Sequence, residues 1–248
     1  KKEYVILIFG CLILSDMWFV NKRYLNSTHF GPEHVFEKTA ADKKILKSNS
    51  NQERFRVFNL NNPYNESRTS YFHSSIGGYS AVKLKRYEQL YQRHMPYDAK
   101  GLQNVKGSIN KLNHCIRLLN PSVLSMLNTK WIISPDTKNK EGVAIQVDSL
   151  GLTNPQGNAW FVKSFDTVSS AGDELQALAN FNPDRKAIVD KKFTSYISDF
   201  NYNPSSTISL IEYSLNKLVY KTENIKSDQL AVFSEIYYEK GWNAYIDN

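Results

Sequence analysis

The chain has 248 residues, 41% of them apolar and 13% aromatic, with a formal net charge of +7 and a pI near 9.2. That length and composition provide for one large or two small folded domains, and they exclude a disordered chain or a polytopic membrane bundle. The lysines are scattered, and no recognition-helix, zinc-finger or single-strand-binding signature accompanies them, so nucleic acid is set aside as the partner of this charge in favour of an anionic membrane surface.

The first 26 residues, KKEYVILIFGCLILSDMWFVNKRYLN, open without a methionine, as a piece of a longer protein would. Tyr4 to Leu14 is one unbroken apolar run, shorter than the roughly twenty residues that cross a bilayer. A small-residue signal cleavage site is missing. Two readings of residues 1–20 stand: a buried strand of an α/β sheet that ends at Asp16, which is favoured, and the end of a membrane helix with Lys1 and Lys2 on the cytoplasmic side. Cys11 and Cys115 sit inside apolar runs, as buried free thiols do. With two cysteines and five dispersed histidines, neither a disulfide framework nor a zinc site is expected, and no cofactor is implied.

Ala40-Ala41 and Ile45-Leu46 predict a short helix in the polar stretch from Asn26 to Gln52. RFRVFNL (Arg54 to Leu60) alternates and reads as a strand, and NNPYNES reads as a loop. Ser80, after Gly77-Gly78, is expected to cap a helix running to about His94, and Ser108 a second helix along Ile109, Leu112, Cys115, Ile116 and Leu119. Pro121 is expected to stop that helix, with Ser122 capping a short third one. TKWIIS (Thr129 to Ser134) reads as a buried strand, which completes an α/β layered part with a small mixed sheet over residues 1–140.

Pro135 to Gly142 reads as a linker or exposed loop. Residues 141–248 are then β-rich and sandwich-like. Strands are expected in AWFVKSFDTV, AIVD, TISLIEYS, KLVYKTE, LAVFSEIYY and WNAYID, with one helix near 170–180 opened by Ser170. Glu239-Lys240-Gly241 is expected to join the last two strands as a hairpin. The fold class is therefore α+β.

The segment from Asn65 to Gln92 gathers Arg68, His73, several serines, a Gly-Gly pair and a row of tyrosines. No G-x-S-x-G elbow and no phosphate-binding glycine loop organises them, so the residues favour a loop leading into a helix, with positive φ at the glycines and tyrosines packed on the sheet. Asp16, Glu66, Asp148, Asp190, Glu235 and Asp247 could include a glycosidase pair, but solvated or paired charges are the commoner use of such residues. Trp242 and Tyr245 suit either stacking on sugar rings or core filling, the second being favoured.

Several separated stretches resemble the YfhO family of bacterial membrane proteins: DMWFVNKRYLN (Asp16 to Asn26), NESRTSYFHSSIGGYSAVKLKRY (Asn65 to Tyr87), LSMLNTKWII (Leu124 to Ile133), GNAWFV (Gly157 to Val162) and VFSEIYYEKGWNAYID (Val232 to Asp247). Their order and spacing cover nearly the whole chain. The resemblance implies the extracytoplasmic part of a polytopic protein related to lipid-sugar-dependent glycosyltransferases, with the membrane-embedded part of the same polypeptide as its first partner. In those relatives the catalytic carboxylate lies among early membrane helices, which this chain does not contain, and the pattern continues past GWNAYID with further strands. No catalytic residue carries over, and the fragment itself is expected to be inert even where its parent transfers sugar. An accessory domain of this kind would position a polyprenyl-phosphate sugar or an envelope glycan, with Arg68, His73, Tyr79 and Arg86 as substrate-binding or docking residues. The alternative is a glycan-binding or protein-interaction module of the cell envelope without catalytic activity.

Overall fold

A computed structural model of the chain describes residues 1–28, 36–49, 53–95, 110, 113–114, 118–135, 142–150, 155–197 and 199–246. The contacts group the chain into two units, residues 1–37 and residues 38–248. Elements of both helix and strand fill the second unit, and its later part is dominated by strands, so the fold is α+β.

The first unit is built on one helix, α1 (Lys2–Tyr24), not on the strand favoured for its apolar run. Ser15 and Asp16 do not end the element, because a helix satisfies its backbone groups internally and continues through MWFV to Lys22 and Arg23. Those two cations occupy its last turn, where they complement the helix dipole. None of its residues is buried, and its apolar side chains point outward on all sides. Cys11 is accordingly exposed rather than buried. At 23 residues α1 is long and apolar enough to cross a membrane.

The second unit opens with α2 (Ala40–Ser48), whose N-terminus is a capping box: the Thr39 hydroxyl receives the Asp42 N–H while the Asp42 carboxylate receives the Thr39 N–H. Three strands follow in space. β1 (Arg56–Asn59) runs parallel to β2 (Thr129–Ser134), and β2 pairs antiparallel with β3 (Val143–Gln146). The third strand thus comes from beyond residue 140, and the sheet crosses the division drawn there from sequence. Side chains of a strand alternate between faces, and here both faces are covered. Val57, Trp131 and Ile133 pack with Ala41 and Ile45 of α2, while Phe58, Leu60 and Ile132 join Ile76, Tyr91, Met95 and Leu124 on the other side. That two-sided burial is why TKWIIS reads as a continuous apolar run.

Three helices serve the second face or its surroundings: α3 (Arg68–Phe72), α4 (Lys85–His94) and α5 (Pro121–Met126). Pro121 does not stop a helix but starts α5, at a first-turn position where its missing N–H costs nothing. Asn120, not Ser122, is the cap, its Oδ1 receiving the N–H groups of Ser122 and Val123. Asn120 Nδ2 also donates to the carbonyl of Leu178 at 2.8 Å. Asn128, with φ of 52°, turns the chain out of α5 into β2 through the left-handed region that asparagine tolerates. The helix predicted from Ser108 falls mainly on residues outside those described, as does Cys115.

The β-rich remainder comprises three two-stranded ladders. β4 (Ala159–Val162) pairs antiparallel with β9 (Leu230–Phe233), β5 (Ser164–Val168) pairs parallel with β6 (Lys186–Asp190), and β7 (Thr207–Ser214) pairs antiparallel with β8 (Lys217–Glu223). AWFVKSFDTV is therefore two strands, not one. The helix near 170–180 is α6 (Ala171–Ala177), capped by Ser170 as its sequence predicts. The described part of WNAYID, residues 242–246, forms no strand: Glu239-Lys240-Gly241 makes a turn, and β9 takes the distant β4 as its partner instead.

Candidate functional site

The N-terminus of α2 carries a carboxylate that is fully buried and still ionised. Asp42 Oδ2 receives the Thr39 N–H at 2.8 Å, the Thr39 hydroxyl at 2.7 Å and Arg68 Nη2 at 2.6 Å. Its Oδ1 lies 3.0 Å from His73 Nε2. Burial alone pushes the Asp42 carboxyl up, but the hydrogen bonds from Thr39, Arg68 and His73 together hold it below its ordinary value. Since the carboxylate can only accept, His73 Nε2 carries the proton of that bond. Burial foremost makes His73 harder to protonate than a free imidazole; Asp42 offsets this only in part, and the Arg68 charge adds to it. The arrangement is a neutral imidazole and a guanidinium sharing one anion.

Arg68 and His73 lie at opposite ends of α3, so one turn of helix delivers both to Asp42. Thr69 between them is buried, accepts from Asn59 Nδ2 at 2.8 Å, and donates its N–H to Glu66 Oε2 at 2.9 Å. Beyond His73 the chain runs along the outer edge of β1: Val57 donates its N–H to the Ser74 carbonyl, and Ile76 donates to Val57.

The glycine pair is explained by close approach. A methyl group on Gly77 would lie 1.7 Å from the Pro63 carbonyl oxygen, and Gly78 has φ of +110°. Gly78 donates to the Pro63 carbonyl at 2.7 Å, and Tyr79 to that of Glu66 at 2.9 Å. The next residues form a turn in which the Ser80 hydroxyl donates to the Val82 carbonyl at 2.6 Å. Ser80 caps no helix; α4 begins at Lys85, with Leu84 before it. Of the segment's tyrosines, Tyr87 and Tyr91 pack inward as expected, whereas Tyr71 and Tyr79 are exposed. Tyr64 and Tyr91 stack with centroids 3.9 Å apart, and burial pushes the Tyr87 hydroxyl up to about 12 while it donates to the Ile76 carbonyl.

The four residues singled out from sequence therefore part company. Arg68 and His73 meet on Asp42, Tyr79 stands exposed on the loop, and Arg86 pairs with Glu174 of α6. Asp42 is the member that sequence reading missed; the Thr39-x-x-Asp42 spacing of a capping box was its visible signal.

Three of the acidic residues weighed as a glycosidase pair are engaged singly, and Asp16 lies on α1. Glu235 contacts Arg56 at 3.2 Å, Glu66 caps Thr69, and Asp190 receives the Lys192 N–H. Asp148 borders a groove of about 800 Å³ that Arg54, Asn128, Lys130, Gln156, Asn158 and Tyr213 also line. The Arg54 guanidinium lies 3.1 Å from the centroid of the Tyr213 ring. Asp247 lies outside the described residues. Trp242 and Tyr245 are at the surface rather than in the core, with Trp242 Nε1 donating to the Ile236 carbonyl. Among the described residues no group of three His, Cys, Asp or Glu side chains is arranged to hold a metal ion.

No protein-family model, curated protein or solved structure matches this chain.

Proposed function

We propose that this chain is an extracytoplasmic accessory domain, held at a bilayer by α1, of a polytopic membrane protein related to lipid-sugar-dependent glycosyltransferases. The observation that carries the reading is α1 itself: 23 residues, apolar on every side and exposed along its whole length. A helix rises 1.5 Å per residue, so such a helix is about 35 Å long and matches a hydrocarbon core of about 30 Å. Tyr4 and Trp18 lie towards its ends, where amphipathic rings favour the headgroup level. The YfhO-like stretches support the family assignment, and the folded, water-compatible unit from residue 38 onward suits a domain outside the bilayer. In this reading the unit positions a lipid-linked sugar or acceptor glycan for chemistry done by the membrane-embedded part of the parent.

The experiment is removal of residues 38–246 from the parent protein with every membrane segment retained, followed by profiling of lipid-linked and envelope glycans. The reading expects an altered profile; an unchanged profile, with the truncated protein present in the membrane, refutes it.

A second reading, a glycan-binding module without a catalytic parent, is favoured by the groove between Arg54, Asn128, Asn158 and Tyr213, whose amide and ring side chains are those that bind hydroxyl-rich ligands. Soluble envelope glycan bound in that groove, with no change in glycan transfer, distinguishes it.

A further inference from the structure

We infer that the loop Gly78–Arg86 is a lipid-contacting loop, which lays Tyr79, Val82 and Leu84 into the surface of an anionic bilayer. This rests on the membrane attachment proposed above and adds to it the face of the domain that meets the lipid.

Three observations carry it. The first is exposure without packing purpose: Tyr79 is 67%, Val82 87% and Leu84 42% exposed. The second is that these side chains are presented by a fixed backbone. The loop is pinned at its start by the Gly78 and Tyr79 hydrogen bonds to Pro63 and Glu66, turned by Ser80, and followed directly by α4. Side chains held in place before contact lose less entropy when they enter a surface than those of a free loop. Third, the charge is of one sign. Lys83, Lys85 and Arg86 interleave with the apolar residues, and no Asp or Glu occurs between Ser67 and Tyr87. Lys83 Nζ reaches the Tyr64 carbonyl at 3.3 Å; Arg86 is neutralised by Glu174, so the attraction to an anionic surface rests on Lys83 and Lys85.

Two other exposed apolar patches among the described residues carry acidic residues or paired lysines instead. The segment with Tyr237, Tyr238 and Trp242 also carries Glu235 and Glu239, and Leu215 sits beside Lys217, which is paired with Glu212. Covalent geometry limits the chain between Tyr24 and Lys38 to about 50 Å. Apolar side chains interleaved with lysines in one loop suit anionic headgroups, with each lysine near such a surface contributing favourably.

The test uses the full chain in lipid nanodiscs, with Val82→Cys carrying an environment-sensitive fluorophore and Cys11 and Cys115 replaced by serine. In phosphatidylcholine–phosphatidylglycerol discs the label is expected to be quenched by spin-labelled lipid. Adding Lys83→Gln and Lys85→Gln is expected to lower the ratio of engaged to disengaged loop roughly 30-fold. Quenching absent in anionic discs, or equal in purely zwitterionic discs and in the double-lysine variant, overturns the inference. Failure of the chain to incorporate through α1 is a separate outcome, which overturns the membrane attachment and this inference with it.

Discussion

Arg56 grips Ser234 by both of its polar ends: Nη1 donates to the Ser234 hydroxyl at 2.8 Å and Nη2 to its carbonyl at 2.7 Å. The two residues are 178 positions apart, so the first strand of the three-stranded sheet is tied directly to the end of β9. Nη1 also donates to the Leu127 carbonyl at 3.0 Å, and the Ser234 hydroxyl donates to the Met126 carbonyl at 2.6 Å. Arg56→Ala leaves these acceptors without a charged donor in a mostly dry site, and it is expected to cost about 2–4 kcal/mol. Glu235→Gln keeps an acceptor beside Nη2 and removes only the charge, and it should cost less, about 1 kcal/mol. Denaturant titration of both variants checks the contrast; equal losses would mean that the ion pair, not the bonds to Ser234 and Leu127, carries the tie.

The Asp42 cluster predicts a pH dependence. The folded value of His73 is depressed below 6.5, so its contribution is complete above that pH and is lost as pH falls below it through the folded value. Asp42 is also depressed, and its contribution persists until pH falls below 3.8 and through its lowered folded value. Stability should therefore decline in two stages on acidification. His73→Gln is expected to flatten the first stage and leave the second. Thermal unfolding across the acid range tests this; an unchanged first stage in His73→Gln would contradict it.

Asp42→Ala removes the buried carboxylate that Thr39, Arg68 and His73 share, and with it the anion paired with the Arg68 guanidinium. The expected loss is about 3–5 kcal/mol. Thr39→Ala removes one cap and one hydroxyl donor, with an expected loss near 1 kcal/mol. Comparing the two midpoints separates the anion's role from ordinary capping.

Gly77→Ala drives a methyl group into the Pro63 carbonyl and must displace backbone on one side or the other. About 1–3 kcal/mol is the expected penalty, as for other overpacked sites. Gly157→Ala is the comparison, because a methyl group there meets nothing within 4 Å and only its φ of +84° resists. Hydrogen exchange at the Gly78 and Tyr79 amides should quicken in the first variant and not in the second.

Arg56–Asn59 and Thr207–Ser214 were legible from sequence by their alternation, and Thr129–Ser134 by its short apolar run, because a pleated element states its buried faces in its own residues. So were the short helix around Ala41 and Ile45 and the cap at Ser170. Pairing was not legible. That β9 joins β4 rather than WNAYID depends on contacts across 70 residues, which no local pattern encodes. The start of α1 was misread because Asp16 was taken as the end of an element, whereas a helix carries a single charge through an apolar run without breaking its ladder. Arg68 and His73 were visible as unusual residues in one segment, but the Asp42 that unites them lies 26 and 31 positions upstream.

The membrane attachment of the domain, with its folded unit outside the cytoplasm, is the claim on which the functional reading depends. It is tested most directly by fusing alkaline phosphatase, which is active only outside the cytoplasm, after residue 246 of the chain and assaying intact bacterial cells alongside carbonate-washed membranes. The account predicts enzyme activity that stays with the membrane pellet and is released by replacing Ile8 and Leu12 with lysine. An inactive fusion, or an active one washed free of the unaltered membrane, would contradict it.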